Sequence, residues 1–476
     1  MLSKIHEECG VFGIYAAPDA KLSPAGETFN ALFALQHRGQ ESCGIAVSDR
    51  GVIRVHKNVG LVSEVFDDEI IAGLTGQIAI GHCRYAANDT RDREHALPIV
   101  VEHAKGCVAV SQNGAVVNAR ELRMKLQEEG VVFQTKGDAE LIVNLLARER
   151  RVCGSAEGAL ARLLDIMTGA FSLVVMSPRK LLAVRDRNGY RPLCIGRIGD
   201  SYVFASESVA LDAVGAEFIR DVRPGEVVWV DSKGLHSMLA EENGTRQSLC
   251  VFEYVYTARP DSIIDGMSVD RFRQLAGMHL ALDSPVGADV VIGVPDSGLP
   301  AAIGYAHCSG IPYGVGLIKN RYIGRTFILP TQGQRERAVK IKLNVLAETV
   351  RGKRVVMIDD SIVRGTTTAH LVAMLREAGA AEVHMRIASP PFLYPCYFGT
   401  DVPDQKMLVA VGRTIEELRQ ITGADSLAFL TLDALHKIAR EINVGICDAC
   451  FTGNYATKIP ETTGPDKYDQ HIEDEE

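Results

Sequence analysis

Ten consecutive residues, Asp359-Asp360-Ser361-Ile362-Val363-Arg364-Gly365-Thr366-Thr367-Thr368, put two carboxylates, a glycine and four hydroxyls just ahead of a helical pattern. Gly365 lets backbone N–H groups approach an anion, the threonines add hydroxyl donors, and a helix N-terminus contributes its positive end. The loop therefore suits a phosphate monoester. Adjacent carboxylates can accept hydrogen bonds from vicinal hydroxyls or hold a hard cation. An isolated Asp-Asp pair would as readily cap a turn, but the whole string points to a ligand. Neither the triphosphate P-loop nor the dinucleotide fingerprint occurs in this segment, which counts against a kinase, an ATPase or an NAD enzyme.

Other groups are less decided on spacing alone. Lys319-Asn-Arg-Tyr322-Ile-Gly-Arg325, followed by Arg335, Arg337, Lys340 and Lys342, is rich in cations and glycine. Alone it reads as a solvated basic face; beside a phosphate loop it reads as a mobile flap closing over a diphosphate. Cys447-Asp-Ala-Cys450 fits zinc, an iron–sulfur centre or a redox pair equally. Cys9, in Glu7-Glu8-Cys9-Gly10-Val11-Phe12-Gly13, is by itself a packed thiol entering an apolar strand.

The elements that position these residues fall into two kinds. Alternation makes Cys9 to Tyr15 a strand, with further strands at Gly44 to Val47 and Val52 to His56 and helices at Glu27 to Gln36, Ala119 to Glu129 and Asp138 to Arg148. The first ~240 residues are thus a layered α+β domain. Polar residues from Ser232 to Ser248 are the candidate linker. Beyond them, the buried runs Asp289 to Val294, Arg354 to Ile358 and Val383 to Ile387 alternate with helical patterns, one of them Thr367 to Ala378 with threonines suited to N-capping. That is βαβ grammar and implies a doubly wound parallel sheet.

The 476 residues carry 51 Lys+Arg against 60 Asp+Glu, a net charge of -9 that argues against broad nucleic-acid binding. The longest stretch free of charged residues, Ser297 to Ile318, is broken by Pro300 and Pro312 and fails as a spanning helix, so no membrane role is expected. Met1 to Glu8 lacks an apolar signal core, and the eleven cysteines are read in a reducing cytoplasm, as reactive thiols or metal ligands.

Two family resemblances join these observations. The Asp359 to Thr368 string resembles the signature of type I phosphoribosyltransferases, which implies that Asp359 and Asp360 meet the ribose hydroxyls of phosphoribosyl pyrophosphate (PRPP) while Arg364 to Thr368 hold its 5′-phosphate, with Ser361 also among the PRPP-binding residues. Cys9, Gln36-His37-Arg38-Gly39-Gln40, Gly81-His82-Cys83-Arg84-Tyr85, Gln112-Asn113-Gly114 and Lys136-Gly137-Asp138, in that order, resemble the glutaminase domain of N-terminal nucleophile amidotransferases. This implies cleavage before Cys9, whose free α-amine serves as base for its own thiol. It also implies an oxyanion hole from Asn113 and Gly114, and glutamine binding by Arg38, Arg84 and Asp138, with Arg38 organising the site around the nucleophile.

Both modules together, with Phe252 to Ser262 as the joining segment and Val294-Pro-Asp-Ser297-Gly298 as a diphosphate-side loop, resemble the glutamine PRPP amidotransferase family in its iron–sulfur form. The resemblance implies an αββα glutaminase domain at 9–235, a phosphoribosyltransferase domain at 250–445, a propeptide at 1–8 and a C-terminal tail at 446–476. It implies PRPP contacts from Lys319, Tyr322, Arg325 and Lys340, Mg²⁺ at Ser297, Asp359 and Asp360, and a [4Fe–4S] cluster on Cys250, Cys396, Cys447 and Cys450. Partners implied are glutamine, PRPP, purine nucleotides as feedback inhibitors and three further copies in a homotetramer. Cys83, Gln112 and Asn88-Asp89 depart from the commonest family pattern. A sugar-phosphate aminating enzyme, a PRPP-sensing regulator and a zinc-stabilised homologue with dead sites are the alternatives.

Overall fold

The computed structural model describes residues 9–85, 93–240, 244–320, 343–400, 402 and 404–459. Tyr322, Arg325 and Lys340, the expected propeptide, Asn88-Asp89 and the end of the tail lie outside the described residues.

The strand Gly10–Tyr15 is buried along its whole length and lies between the antiparallel strands Ser201–Ala205 and Ile78–Arg84. It is central to a seven-stranded sheet, ordered Glu217–Asp221, Cys194–Ile198, Ser201–Ala205, Gly10–Tyr15, Ile78–Arg84, Ser42–Asp49, Val52–Val59. Alternate residues face opposite ways. Phe12 and Ile14 pack with Ala31 and Leu32 of the helix Pro24–Ala34, whereas Val11 and Tyr15 face a second sheet through Ala109, Val174 and Val228. That sheet has six strands, Gly234–Leu239, Glu226–Asp231, Leu181–Arg185, Gly169–Met176, Gly106–Val116 and Ile99–His103. Helices Ala119–Glu128, Asp138–Val152 and Ala156–Ile166 cover its outer face. The four layers are the expected αββα arrangement. Pro24 opens the first helix, capped by Ser23 Oγ, which accepts from Gly26 N at 3.2 Å.

The candidate linker needs correction. Gly234–Leu239 is an edge strand paired with Glu226–Asp231, and Trp229 stacks on His236 at 5.3 Å. Within it only His236 and Ser237 are polar; the polar residues on either side of it, and an exposed end at Ser237 to Leu239, hide it.

In the second half four parallel strands lie in the order Val290–Gly293, Arg354–Asp359, Glu382–Ile387, Ser426–Phe429. Val290, Ile292, Val355 and Met357 face the helix Thr366–Glu377, and Val291, Val356 and Ile358 face helices Val269–Asp283 and Gly298–Ser309. Helices on both faces give the doubly wound arrangement expected. The helix after the phosphate loop is capped by Gly365 at φ 77°, so the threonines expected as caps lie within its first turn. Among the described residues no helix is long and apolar enough to cross a membrane.

The halves are tied by buried charge. Arg38 pairs with Glu253 at 2.9 Å, and Arg185 pairs with Asp265 at 2.6 Å. Leu249–Cys250 also pairs in parallel with Ile446–Cys447, which brings the chain's last described part back to the junction.

Candidate active sites

Cys9 stands at the entrance of the central strand. Its Sγ receives the Tyr85 N–H at 3.4 Å and faces the Tyr85 carbonyl at 3.8 Å, while its own carbonyl accepts from Arg38 Nε at 3.1 Å. Arg38, expected to bind glutamine, is fully buried and donates to Glu207 at 2.5 Å and to both oxygens of Glu253 at 3.0 and 2.9 Å. It occupies an organising position beside the nucleophile, between two carboxylates that sequence reasoning missed. Burial alone would raise the Glu207 carboxyl, but His37 and Arg38 pull it well below the usual carboxylate range.

The register Gly10↔Cys83, Val11↔His82 carries Arg84 to the same end of the sheet as Cys9. From there His82 Nε2 bonds the Gln112 carbonyl at 2.9 Å, which brings Asn113 and Gly114 across from the second sheet. Burial pushes the His82 imidazole down to about 3, so this is a neutral ring. Asn113 is completely buried, and neither Nδ2 nor Oδ1 has a hydrogen-bond partner among the described residues. An unsatisfied buried amide is costly unless a ligand completes it. Gly114 has φ 114°, and a side chain there would meet the Ala170 carbonyl at 2.2 Å, so its backbone conformation and close approach both need glycine. Asp138 opens the helix Asp138–Val152 and accepts Val116 N at 2.8 Å; burial pushes its carboxyl up, against that bond, Arg123 and Gln112. The sequence motifs of the first half are thereby gathered about one end of the sandwich.

The second site lies at the carboxyl end of strand Arg354–Asp359. Asp359, Asp360 and Ser361 are all at least nine-tenths buried. Asp360 accepts from Ser361 Oγ at 2.5 Å and from Ser297 Oγ, and Asp359 accepts the Asp360 N–H at 3.0 Å. Burial, then the charge of Asp360, pushes Asp359 well above the normal range; Asp360 is raised by burial and relieved by Ser297, Ser361 and Arg273. Two buried carboxyls held this way call for a cation or a cluster of hydroxyl donors. Arg364 to Thr368 bend directly into the helix, with Thr366 and Thr367 exposed at its positive end and Thr368 buried. Lys319 Nζ reaches Asp296 at 2.5 Å, so the described start of the basic segment touches the Pro295-Asp296-Ser297 loop.

Behind both sites, buried Arg273 donates to the carbonyls of Tyr254, Tyr256 and Ala258 at 2.7, 3.1 and 2.8 Å, just beyond Glu253. Burial lowers this arginine to about 10, with Asp360 among the charges that oppose the shift. No motif flagged Arg273 or Glu207, because each acts through partners distant in sequence.

The four cysteines Cys250, Cys396, Cys447 and Cys450 lie in one neighbourhood, none of them in a disulfide. Cys250 pairs with Cys447 across the parallel bridge, and the Cys450 carbonyl accepts Leu393 N at 2.9 Å and Tyr394 N at 3.1 Å, just before Cys396. Burial pushes Cys447 up to about 12, and pushes Cys450 well above the usual thiol range, with Cys250, Cys447 and Cys396 adding to the shift. As they stand, no three His, Cys, Asp or Glu side chains among the described residues are grouped tightly enough to hold a metal ion. The donor chemistry nonetheless fits a soft metal centre: four thiols from three segments, two of which, Cys447 and Cys450, burial penalises as lone thiolates.

The two sites define a glutamine amidotransferase fused to a phosphoribosyltransferase fold. Residues 82–213 match the family model for a glutamine amidotransferase domain. The chain is 48% identical to the amidophosphoribosyltransferase of Archaeoglobus fulgidus, over 95% of this chain and 98% of that one, and 45% identical to that of Bacillus subtilis, over 96% of each. A solved Bacillus subtilis glutamine PRPP amidotransferase, complexed with ADP and GMP, superposes with a TM-score of 0.88 at 44% identity, covering 95% of this chain and 98% of that one. A structure of the allosteric regulatory enzyme of purine biosynthesis gives 0.90 at 44% identity, covering 96% and 98%. The chain belongs to the amidophosphoribosyltransferase family.

Proposed function

We propose that this chain makes 5-phosphoribosylamine from PRPP with ammonia that it takes from glutamine, the first committed step of purine biosynthesis. The observation that carries the reading is the unsatisfied Asn113 amide beside Gly114, in the same chain as the buried Asp359-Asp360 pair that leads into a phosphate loop.

In this reading Arg84 pairs with the glutamine α-carboxylate and Asp138 with its α-ammonium. The Cys9 thiolate, its proton taken by the α-amine, attacks the side-chain amide carbon, and the oxyanion is received by Asn113 Nδ2 and the Gly114 N–H. The C–N bond breaks, ammonia leaves with the transferred proton, and water releases glutamate from the thioester. Ammonia then passes inside the protein to ribose C1, where the C–O bond to pyrophosphate breaks. Arg364 to Thr368 hold the 5′-phosphate, Asp359 and Asp360 the ribose hydroxyls, and Lys319, Tyr322, Arg325 and Lys340 cover the diphosphate. A Mg²⁺ ion held through Ser297, Asp359 and Asp360 would neutralise the leaving diphosphate.

The thiols of Cys250, Cys396, Cys447 and Cys450 support a [4Fe–4S] cluster with a structural role, which makes this chain one of the iron–sulfur form. The enzyme works in the cytoplasm as a homotetramer and is inhibited by purine nucleotides, a reading supported by the nucleotides held by the Bacillus subtilis relative. The test is pyrophosphate release from PRPP, with glutamine and then with ammonium salt as the nitrogen source. Release with both is expected; a chain that uses neither overturns the proposal. Intact mass of the active enzyme is expected to begin at Cys9, and full activity with Met1 to Glu8 still attached would remove the α-amine as base.

A further inference from the structure

A loop of the transferase half reaches the oxyanion strand of the glutaminase. Buried Phe398 stacks on Tyr190 with ring centroids 4.3 Å apart, and the residues that follow each of them make a closer contact. Arg191 Nη2 donates to the Phe398 carbonyl at 2.7 Å. A Cβ on Gly399 would stand 2.6 Å from that same Nη2 and 3.4 Å from Gly114 Cα. Gly399 has φ 120° and Gly114 φ 114°. Two glycines from opposite halves of the chain thus approach where neither leaves room for a side chain.

Arg191 fills the space beside them. It is fully buried, and a Cβ on Gly114 would meet its Cγ at 3.3 Å, so the aliphatic stem lies against the oxyanion glycine. At the end of the stem Nη1 donates to Glu253 Oε1 at 3.4 Å, while Nη2 serves the Phe398 carbonyl. A planar guanidinium can hold a carboxylate and a carbonyl in one fixed geometry, which a lysine ammonium does not. The same Glu253 Oε1 accepts from Arg38 Nη2 at 2.9 Å. The backbone that carries Arg191 is fixed as well. Its carbonyl accepts Ser172 Oγ at 3.1 Å, and the Asp186 carboxylate accepts the N–H groups of Asn188, Gly189 and Tyr190 at 2.9, 2.7 and 3.1 Å. Arg191 is therefore anchored in the glutaminase and turns its charged end to two groups of the transferase half.

We propose that Arg191 is a positioning residue for the glutaminase, propping the Gly114 end of the oxyanion hole against Glu253 and the Phe398-Gly399 loop, so that the alignment of the Gly114 N–H depends on the transferase half. The inference rests on the oxyanion reading of Asn113 and Gly114. Because the support bears on the oxyanion rather than on the charged ends of glutamine, its loss lowers turnover and not substrate affinity. Gly114 is also held by pairing with Phe171 on the neighbouring strand, so the effect is smaller than that of removing a donor outright.

The test compares Arg191→Met, Gly399→Ala and Asn113→Ala, each assayed with glutamine and with ammonium salt. Arg191→Met keeps the stem and removes the fork, and Glu253 retains Arg38 at 3.0 and 2.9 Å. Gly399→Ala keeps every charge and drives a methyl into the guanidinium. Both should lower the glutamine-dependent kcat about tenfold, with glutamine KM changed by less than about threefold and ammonia-dependent synthesis within about twofold of the parent. Alkylation of Cys9 by iodoacetamide, followed by peptide mass, should keep its parental rate within about twofold, since it reads the thiolate and not the oxyanion hole. Slower alkylation would route the effect through Arg38 to the nucleophile and overturn the proposal. Asn113→Ala should cost about 10²–10³ in glutamine-dependent kcat, and no effect there overturns the oxyanion reading beneath. The full Asn113→Ala loss beside a parental kcat in Arg191→Met overturns the role of Arg191 alone. Ammonia-dependent synthesis that falls in step with the glutamine activity in both Arg191→Met and Gly399→Ala marks a mere tie between the halves and also overturns it. If only Arg191→Met loses ammonia-dependent synthesis, Gly399→Ala carries the same expectation and the same refutation.

Discussion

Glu207→Gln keeps the shape of a side chain and removes the charge on which four partners converge. His37 Nε2 lies at 2.8 Å, Arg38 at 2.5 Å, Arg259 N at 3.0 Å and Ser262 Oγ at 2.7 Å. Two of these belong to the first half and two to the segment that follows Glu253, so the carboxylate fastens the nucleophile's neighbourhood to the transferase half. Arg38 and Glu207 have fully buried side chains. Because Arg38 keeps the Glu253 carboxylate, the substitution weakens charged hydrogen bonds without leaving a buried charge unpaired, and costs about 1.5–3 kcal/mol. For a folding unit of about 200 residues that lowers the melting temperature by about 3–12 °C.

The control is Glu217→Gln, whose partner Arg197 and own side chain are 47% and 69% exposed; solvent screening should leave no resolvable shift. The pH dependence follows from the same contacts. A carboxyl held below its unfolded value stabilises fully above the normal carboxylate range and loses that contribution as pH falls through its lower folded value. The gap between parent and Glu207→Gln should therefore stay constant from pH 8 to about 5 and narrow only below about 4.3. Scanning calorimetry at several pH values measures it. A variant melting within about 2 °C of the parent at pH 7, or a gap already closing near pH 6, would refute the reasoning.

Other consequences can be measured separately. Asp359→Asn or Asp360→Asn should weaken PRPP use by tenfold or more, on the order of one lost charged contact, while a glutamine analogue still traps Cys9 as a covalent adduct; unchanged PRPP turnover in both removes them from the site. Anaerobically purified protein should be brown, with close to four irons and four sulfides per chain, as four thiolate ligands require. Stoichiometric zinc without iron would replace the cluster with a colourless centre, and iron that survives Cys250→Ser and Cys396→Ser would displace those two ligands.

Much of this was legible because it is local. The alternation of Gly10–Tyr15, the runs Val290–Gly293 and Arg354–Asp359, and the loop from Asp359 to Thr368 each carry their message within a dozen residues. Amphipathic helices such as Asp138–Val152 declare themselves by period as well. What the chain did not reveal is the set of buried pairings between distant residues: Arg38 with Glu253, 215 positions apart, or Arg185 with Asp265. A lone glutamate such as Glu207 looks the same in the sequence whether it is solvated or clamped by His37 and Arg38, since no period records its partner. The edge strand Gly234–Leu239 was hidden for a different reason, because it is short, open on one side and set between the polar stretches Ser232-Lys233 and Glu241 to Ser248 that mark a linker. The glycine cap of Thr366–Glu377 was obscured by three threonines that look like better caps.

The central claim, that one chain joins a cysteine glutaminase to an independent PRPP site, is tested most directly by Cys9→Ala. The variant should lose glutamine-dependent phosphoribosylamine synthesis by at least about a thousandfold, as expected for a missing nucleophile, and keep ammonia-dependent synthesis within about twofold of the parent. Equal loss of both activities in a folded variant, or glutamine-dependent synthesis that survives without the thiol, would contradict it.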